Sequence, residues 1–249
     1  MSGLTGRVAI VTGVSRRAGI AYALAERLRR LGATVHATGW PAHDAEMPWG
    51  ADETDPGELG AIERRDLDDP DAPARLVDDV VARHGALDIV LAVHARSSDG
   101  GLDTVTAAEL DRCWATNVRS VVLLAQRFAA RHDPSRDGGR MVWFTSGQAH
   151  GPMPDEIAYT LSKGALHAMT NSVAAALADA GIVANCINPG PVDTGWADDE
   201  TRAAVARRFA SGRWGTPDDV ANLVEFLVSD QGAWIHGQVI DSEGGFRRG

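Results

Sequence analysis

Short apolar runs alternate along this chain with longer stretches in which apolar positions recur at helical spacing. Strands buried on both faces of a parallel sheet, and the helices that cover it, produce that alternation. The first run, Arg7-Val8-Ala9-Ile10-Val11-Thr12, stops at Gly13; a glycine-bearing turn to Gly19 and a periodic segment from Ile20 to Leu31 follow, which predicts strand, turn and helix. Gly32-Ala33 ends the helix, and Thr34 to Thr38 is a second strand that completes a βαβ unit. Leu87 to Val93, Arg140 to Thr145, Ile182 to Ile187 and Gln238 to Asp241 have the same strand character, and Ala61 to Leu67 is expected as a third strand although Glu63-Arg64-Arg65 interrupts it. Between Gly39 and Gly60, tryptophan, proline and acidic residues follow no period, which predicts a long loop with one helical turn. Helices are expected over Asp71 to His84, with Pro73 in its first turn, over Thr106 to His132, from Tyr159 to about Ala180, and from the Thr216 N-cap and Pro217 through Val228. Thr106 and Glu109 have the spacing of a capping box, and Asn117 lies in the interior of that helix. The order predicts an α/β fold in one domain over residues 1–249: a doubly wound parallel sheet with a ligand crevice at the strand C-termini.

Composition adds limits. With 249 residues and 44% apolar content, the chain can bury a full core. Met1 to Gly6 lack the charged and apolar regions of a leader, and no apolar run nears the ~18 residues of a membrane span, so a cytoplasmic protein with no membrane partner is expected. Cys113 and Cys186 fit neither a disulfide framework nor a metal knuckle and are expected as reduced, buried thiols. A formal net charge of -10 argues against nucleic acid as a partner, and means that an anionic cofactor needs a local positive site. The eight histidines show no ligand spacing with carboxylates or cysteines, so no metal is expected.

Candidate chemistry lies in two places. Tyr159 and Lys163, four positions apart, share one face of their helix, where an ammonium favours the phenolate and would lower the tyrosine pKa. Ser146 closes a buried strand and could hold a carbonyl oxygen with its hydroxyl. The pair and the serine together make a plausible acid/base site. The turn Gly13-Val14-Ser15-Arg16-Arg17-Ala18-Gly19, opening into Ile20, would present backbone N–H groups and a helix dipole to a pyrophosphate.

These pieces, with Asp66-Leu67, Asn117, Asn188-Pro189-Gly190, Val192, Thr194 and the closing Gly237 to Gly245, resemble the short-chain dehydrogenase/reductase family over essentially the whole length. The resemblance implies a Rossmann fold and an oxidoreductase acting on a small-molecule carbonyl or alcohol. It implies Tyr159 as acid/base, Lys163 lowering its pKa and holding the nicotinamide ribose, Ser146 orienting the carbonyl and Asn117 supporting a proton-relay water. It places Asp66 and Leu67 beside the adenine, Pro189, Gly190, Val192 and Thr194 on the nicotinamide side, and Val93 and His94 near the cofactor. Gln148 and His150 follow Ser146 and could touch substrate, and Trp196 lies in Asp193 to Gly212, which resembles the family's mobile lid. The family's habit of pairing through small-residue helix faces implies a homotetramer.

Two departures stand out. Five residues separate Gly13 from Gly19, a lengthened turn that resembles enoyl-acyl-carrier-protein reductases; those enzymes space tyrosine and lysine seven apart, and the residue seven after Tyr159 is Leu166. Carbonyl chemistry is therefore favoured, with an enoyl reductase or a non-catalytic nucleotide-binding regulator as the alternatives. The second departure is Ala92-Val93-His94-Ala95, where the family usually reads Asn-Asn-Ala-Gly. NADP(H) is the expected cofactor, with NAD(H) possible. The end of the second strand offers Thr38-Gly39 instead of the carboxylate that binds a ribose 2′-OH, and Arg16 and Arg17 could reach a 2′-phosphate.

Overall fold

The computed structural model describes residues 3–52, 60–136 and 138–248. Seven strands form one all-parallel sheet: β1 (Val8–Thr12), β2 (Thr34–Gly39), β3 (Glu63–Arg64), β4 (Ile89–Ala92), β5 (Gly139–Phe144), β6 (Ile182–Asn188) and β7 (Val239–Asp241), in spatial order β3-β2-β1-β4-β5-β6-β7. The chain moves outward from β1 to β3, returns to β4 beside β1, and moves outward the other way. The crevice between β1 and β4 is thus the topological switch point where such sheets bind ligands.

Alternation along β1 explains both layers. Ala9 and Val11 pack with Leu24 and Leu28 of α1 (Ile20–Arg30) and Val220 and Val224 of α8 (Pro217–Val228). Val8 and Ile10 point the other way, into Leu76 of α3 (Ala72–His84), Phe128 of α5 (Ser120–Arg131) and Leu166 of α6 (Ile157–Ala178). At the sheet's N-terminal edge the Asp88 carboxylate, 0% exposed, accepts the Val8 amide at 2.8 Å and both arms of Arg136 at 2.7 and 2.8 Å.

Several expected boundaries shift. The long loop after β2 carries its expected helical turn as a short helix, α2 (Pro41–Glu46), but the third strand shrinks to two residues, since charged side chains there have no sheet face to bury; residues 53–59 of the expected loop lie outside the described residues. The helix predicted over Thr106 to His132 is three pieces: α4 (Ala107–Cys113), a π-helical segment (Trp114–Arg119) and α5. The Thr106 hydroxyl caps α4 by accepting the Glu109 amide at 3.2 Å, but the Glu109 carboxylate grips Arg96 at 2.8 and 3.2 Å, an ion pair stronger than the back-bond of a capping box. Thr216 and Asp219 do form a full capping box on α8. No helix among the described residues is long and apolar enough to cross a membrane.

Candidate active site

Ser146 follows β5 in extended conformation and caps a single 3-10 turn, Gly147–Ala149. Its side chain neighbours the Tyr159 hydroxyl, which comes from the first turns of α6, and favours the ionised phenol. Burial pushes the Tyr159 phenol up to about 12 against the smaller opposing effect of Ser146. The expected lowering by Lys163 is therefore not what the structure has: the ammonium donates to the Phe144 carbonyl at 2.8 Å and lies 5.5 Å from the tyrosine ring centre. Burial also pushes Lys163 down to about 8.

Asn117 is 0% exposed inside the π segment. Its amide accepts the Arg96 N–H at 2.6 Å and donates to the Arg96 carbonyl at 3.0 Å and to the Ser162 hydroxyl at 2.9 Å, which in turn donates to the Tyr159 carbonyl at 2.7 Å. The π turn, closed by a bond from the Ser120 N–H to the Ala115 carbonyl, aims Asn117 at both β4's loop and α6.

His94 secures the other side of that segment. Its Nε2 faces the Thr116 carbonyl at 3.1 Å, an acceptor only, so Nε2 carries the proton; the Ser120 hydroxyl is 2.7 Å away. Nδ1 is then the acceptor for the Thr12 hydroxyl at 2.6 Å. Burial, with the charge of Lys163, pushes His94 down to about 3, so it is a neutral structural tie between β1, β4 and the π segment.

At the switch point a cleft of about 250 Å³ is lined by Gly13, Ser15, Arg16, Gly19, Ile20, Thr38, Leu67, Val93, His94 and Thr194 from the expected set. Trp40, His43, Asp44, Arg65, Arg96 and Thr116 line it as well and were not foreseen. Arg96 directly follows the aberrant Ala92–Ala95 stretch and could have been found there; His43 and Asp44 sit in a segment whose pattern carries no signal. Gly39 meets the glycine turn so closely that a Cβ there would collide with the Val14 carbonyl, whose amide donates to the Thr38 carbonyl at 2.8 Å. A side chain at that position is sterically excluded.

Charge in the cleft is largely paired. Arg65 is held by Glu63 and Asp79, and Arg96 by Glu109. Arg16 differs: among the described residues it has no carboxylate partner, donates to the Thr194 carbonyl at 2.8 Å, lies 5.7 Å over the Trp49 ring, and has a buried Nε without a hydrogen-bond partner. The Asp44 carboxylate accepts from Trp49 Nε1 at 2.9 Å.

Other expected contacts fall elsewhere. Arg17 is exposed and outside the cleft lining, with its backbone amide on Asp52 at 2.5 Å; Asp66 forms a local turn with the Asp68 amide at 2.9 Å. Pro189, Gly190 and Val192 do not line the cleft; Gly190 instead abuts Glu243, and Val192 is buried and bridges to Gly215. Gln148 donates to the Thr145 hydroxyl at 3.0 Å, and Trp196 lies edge-on to Trp214 at 5.5 Å while 47% exposed. His150 pairs with Asp241 at 2.7 Å. With Glu243 these two gather ligand-type atoms within 4.8 Å of one another, a cluster hidden by their separation in sequence; Arg248 takes both Glu243 oxygens. Burial pushes the Cys113 thiol up to about 11 and Cys186 to about 12, so neither is a nucleophile at neutral pH.

A family described as enoyl-(acyl carrier protein) reductase matches residues 13–247. The chain is 37% identical to the uncharacterized oxidoreductase YjdA of Bacillus subtilis, covering 98% of each protein. It is 33% identical to versicolorin reductase stcU of Emericella nidulans, covering 97% of this chain and 96% of the relative. A solved short chain dehydrogenase from Burkholderia cenocepacia in complex with NADP superposes with a TM-score of 0.82 at 33% identity, over 97% of this chain and 98% of that one.

Proposed function

The chain belongs to the short-chain dehydrogenase/reductase family, and from that premise we propose an NADP(H)-preferring oxidoreductase that interconverts a ketone and a secondary alcohol, with Tyr159 as general acid/base. One observation carries the reading: Ser146, at the end of β5, is close enough to the Tyr159 phenol to lower its pKa, with Lys163 buried beside the ring and Asn117 tied to the same helix. A phenol kept protonated to about 12 is a donor at neutral pH, as reduction of a carbonyl requires. The Ser146 hydroxyl holds the substrate oxygen and takes up its developing negative charge. A nicotinamide held in the cleft would supply or accept the hydride. Lys163 would hold its ribose.

The NADP preference is supported by Arg16, whose guanidinium lacks a carboxylate partner among the described residues in a protein of net charge -10, and by Gly39, where no carboxylate fits. The segment 193–212, joined to the glycine turn through Arg16 and carrying the half-exposed Trp196, is read as the substrate lid. A small uncharged ketone suits an aromatic lid of this kind, and the named relative that acts on versicolorin is a reductase too. A second reading, enoyl-thioester reduction, draws on the lengthened turn and on the description of the matching family. It has no lysine at the required spacing: Leu166, seven after Tyr159, is a core residue 2% exposed.

The test follows NADPH and NADH absorbance against cyclic ketones, quinones, 3-oxoacyl thioesters and enoyl thioesters. Ketone reduction with NADPH and a Tyr159→Phe loss of roughly 100-fold or more, cofactor binding retained, is the expected result. Near wild-type ketone reduction by Tyr159→Phe overturns the assignment. Titration of both cofactors into wild type and an Arg16→Ala, Arg17→Ala double variant tests the preference; tighter NADH binding by wild type counts against it.

A further inference from the structure

We infer that the C-terminal tail, residues 242–248, positions the loop that carries Ser146, with Arg248 as its key; the inference rests on the reading of Ser146 and Tyr159 above. Ser146 is followed by Gly147, and the loop returns through Gly151. Arg248 packs against both glycines. A Cβ at Gly147 would run into the Arg248 Nη2, and one at Gly151 would come within 3.2 Å of the Arg248 Cδ.

The guanidinium is fixed from behind. Its Nη1 donates to Glu243 Oε2 at 2.5 Å and its Nη2 to Oε1, while Phe246 stacks under it at 5.3 Å and under Arg208 at 4.6 Å. Glu243 Oε1 accepts from Asn188 Nδ2 at 2.7 Å, and the same nitrogen donates to Asp241 Oδ1 at 2.8 Å. Asn188 is 1% exposed at the end of β6. Asp241 closes the circuit by pairing with His150, which is back on the Ser146 loop. The ring Gly147, Arg248, Glu243, Asn188, Asp241, His150 therefore grips that loop at two points. Bidentate Arg–carboxylate geometry gives such a grip direction as well as strength. Because Glu243 occupies both arms of the guanidinium, Arg248 is not free to bind an anionic substrate; its effect must pass through the loop. Misplacing a hydroxyl by ~1 Å is enough to cost about 100-fold in rate.

The test uses the full chain with Arg248→Ala, Arg248→Lys, Gly147→Ala and the Arg248→Ala, Gly147→Ala double variant, with Tyr159→Phe in parallel. Turnover and KM for a ketone, NADPH affinity by fluorescence, and thermal melting are measured. Arg248→Ala is expected to lose roughly 10-fold or more in kcat with NADPH affinity and melting little changed, and Arg248→Lys to recover part of it. Gly147→Ala, which displaces the guanidinium without removing it, should reproduce the loss, and the double variant should be no worse than either single one. Arg248→Ala turnover within about twofold of wild type, losses that multiply in the double variant, or losses explained by melting overturn the inference. An impaired Tyr159→Phe beside an unimpaired Arg248→Ala rejects the tail's role alone, whereas an unimpaired Tyr159→Phe rejects the underlying site.

Discussion

Lys163 is the residue at which stability and chemistry conflict. Folded, it releases its proton near 8, against a usual value of 10.5 for the free side chain. The unfolded chain thus binds more protons between those limits, and the contribution of this group to stability rises with pH across that window. Lys163→Met should therefore melt above wild type at pH 7, by on the order of 2 kcal/mol, with the gap closing toward pH ~10 and turnover and cofactor affinity both lost. Calorimetry from pH 7 to 10 checks the sign; a variant that melts below wild type throughout rejects it. Tyr159 acts in the opposite sense. Its folded pKa of about 12 exceeds the usual 10, so its contribution is whole below pH 10 and fades above that.

At the scale of elements, the π segment is the feature that the sequence conceals. A helical period of 3.6 residues carries through Trp114–Arg119 without a break in polarity, so the pattern predicts one long helix, and the extra residue shows only in backbone bonding. Deleting one residue within that segment should restore an α-helix and rotate Asn117 away from Ser162 and Arg96. Turnover is expected to fall roughly 100-fold while far-ultraviolet dichroism keeps its helical signal; retained turnover would mean that the bulge has no part in the site. Tyr159, Lys163 and Ser146 were readable because local spacing and a strand end suffice to align them. The β1-to-β2 unit was readable for the same reason. The Arg248 seat on Gly147, the His150–Asp241 pair and the Asp44 wall of the cleft were not, since each joins segments that only the folded sheet brings together.

On the scale of the whole molecule, the two edges of the sheet divide the work. The N-terminal edge is tied by Asp88, whose bonds to Arg136 and the Val8 amide, aided by Arg7, outweigh its burial and hold its carboxyl below the usual carboxylate value. That contribution is present above pH ~4 and lost as pH falls through the folded pKa. Asp88→Ala should cost about 1–3 kcal/mol, because it leaves the buried Val8 amide without its acceptor and removes a carboxylate shared with Arg136, and should leave kcat unchanged. Denaturant titration beside turnover separates the two effects; a fall in kcat at full folding would contradict the division. Assembly is expected to use the faces that leave Val122, Leu161 and Trp114 exposed on α5, α6 and the π segment, and Trp234, 97% exposed, beside β7. Light scattering should give a homotetramer, and a monomer at micromolar concentration rejects it.

The strand order also governs how the protein is made. Every strand pair in the sheet is parallel, and β1 must wait for β4, with Val8 and its partner Asp88 separated by 80 positions. A chain leaving the ribosome can build the β1–β2 unit early, but closing the central pair requires long loops to be drawn together, a slow class of step. β7 and the tail seated on Gly147 emerge after the other six strands. Nascent chains stalled with β7 and the tail still in the ribosomal tunnel should accordingly be protease-resistant over their first half yet inactive, and should gain turnover once those segments emerge.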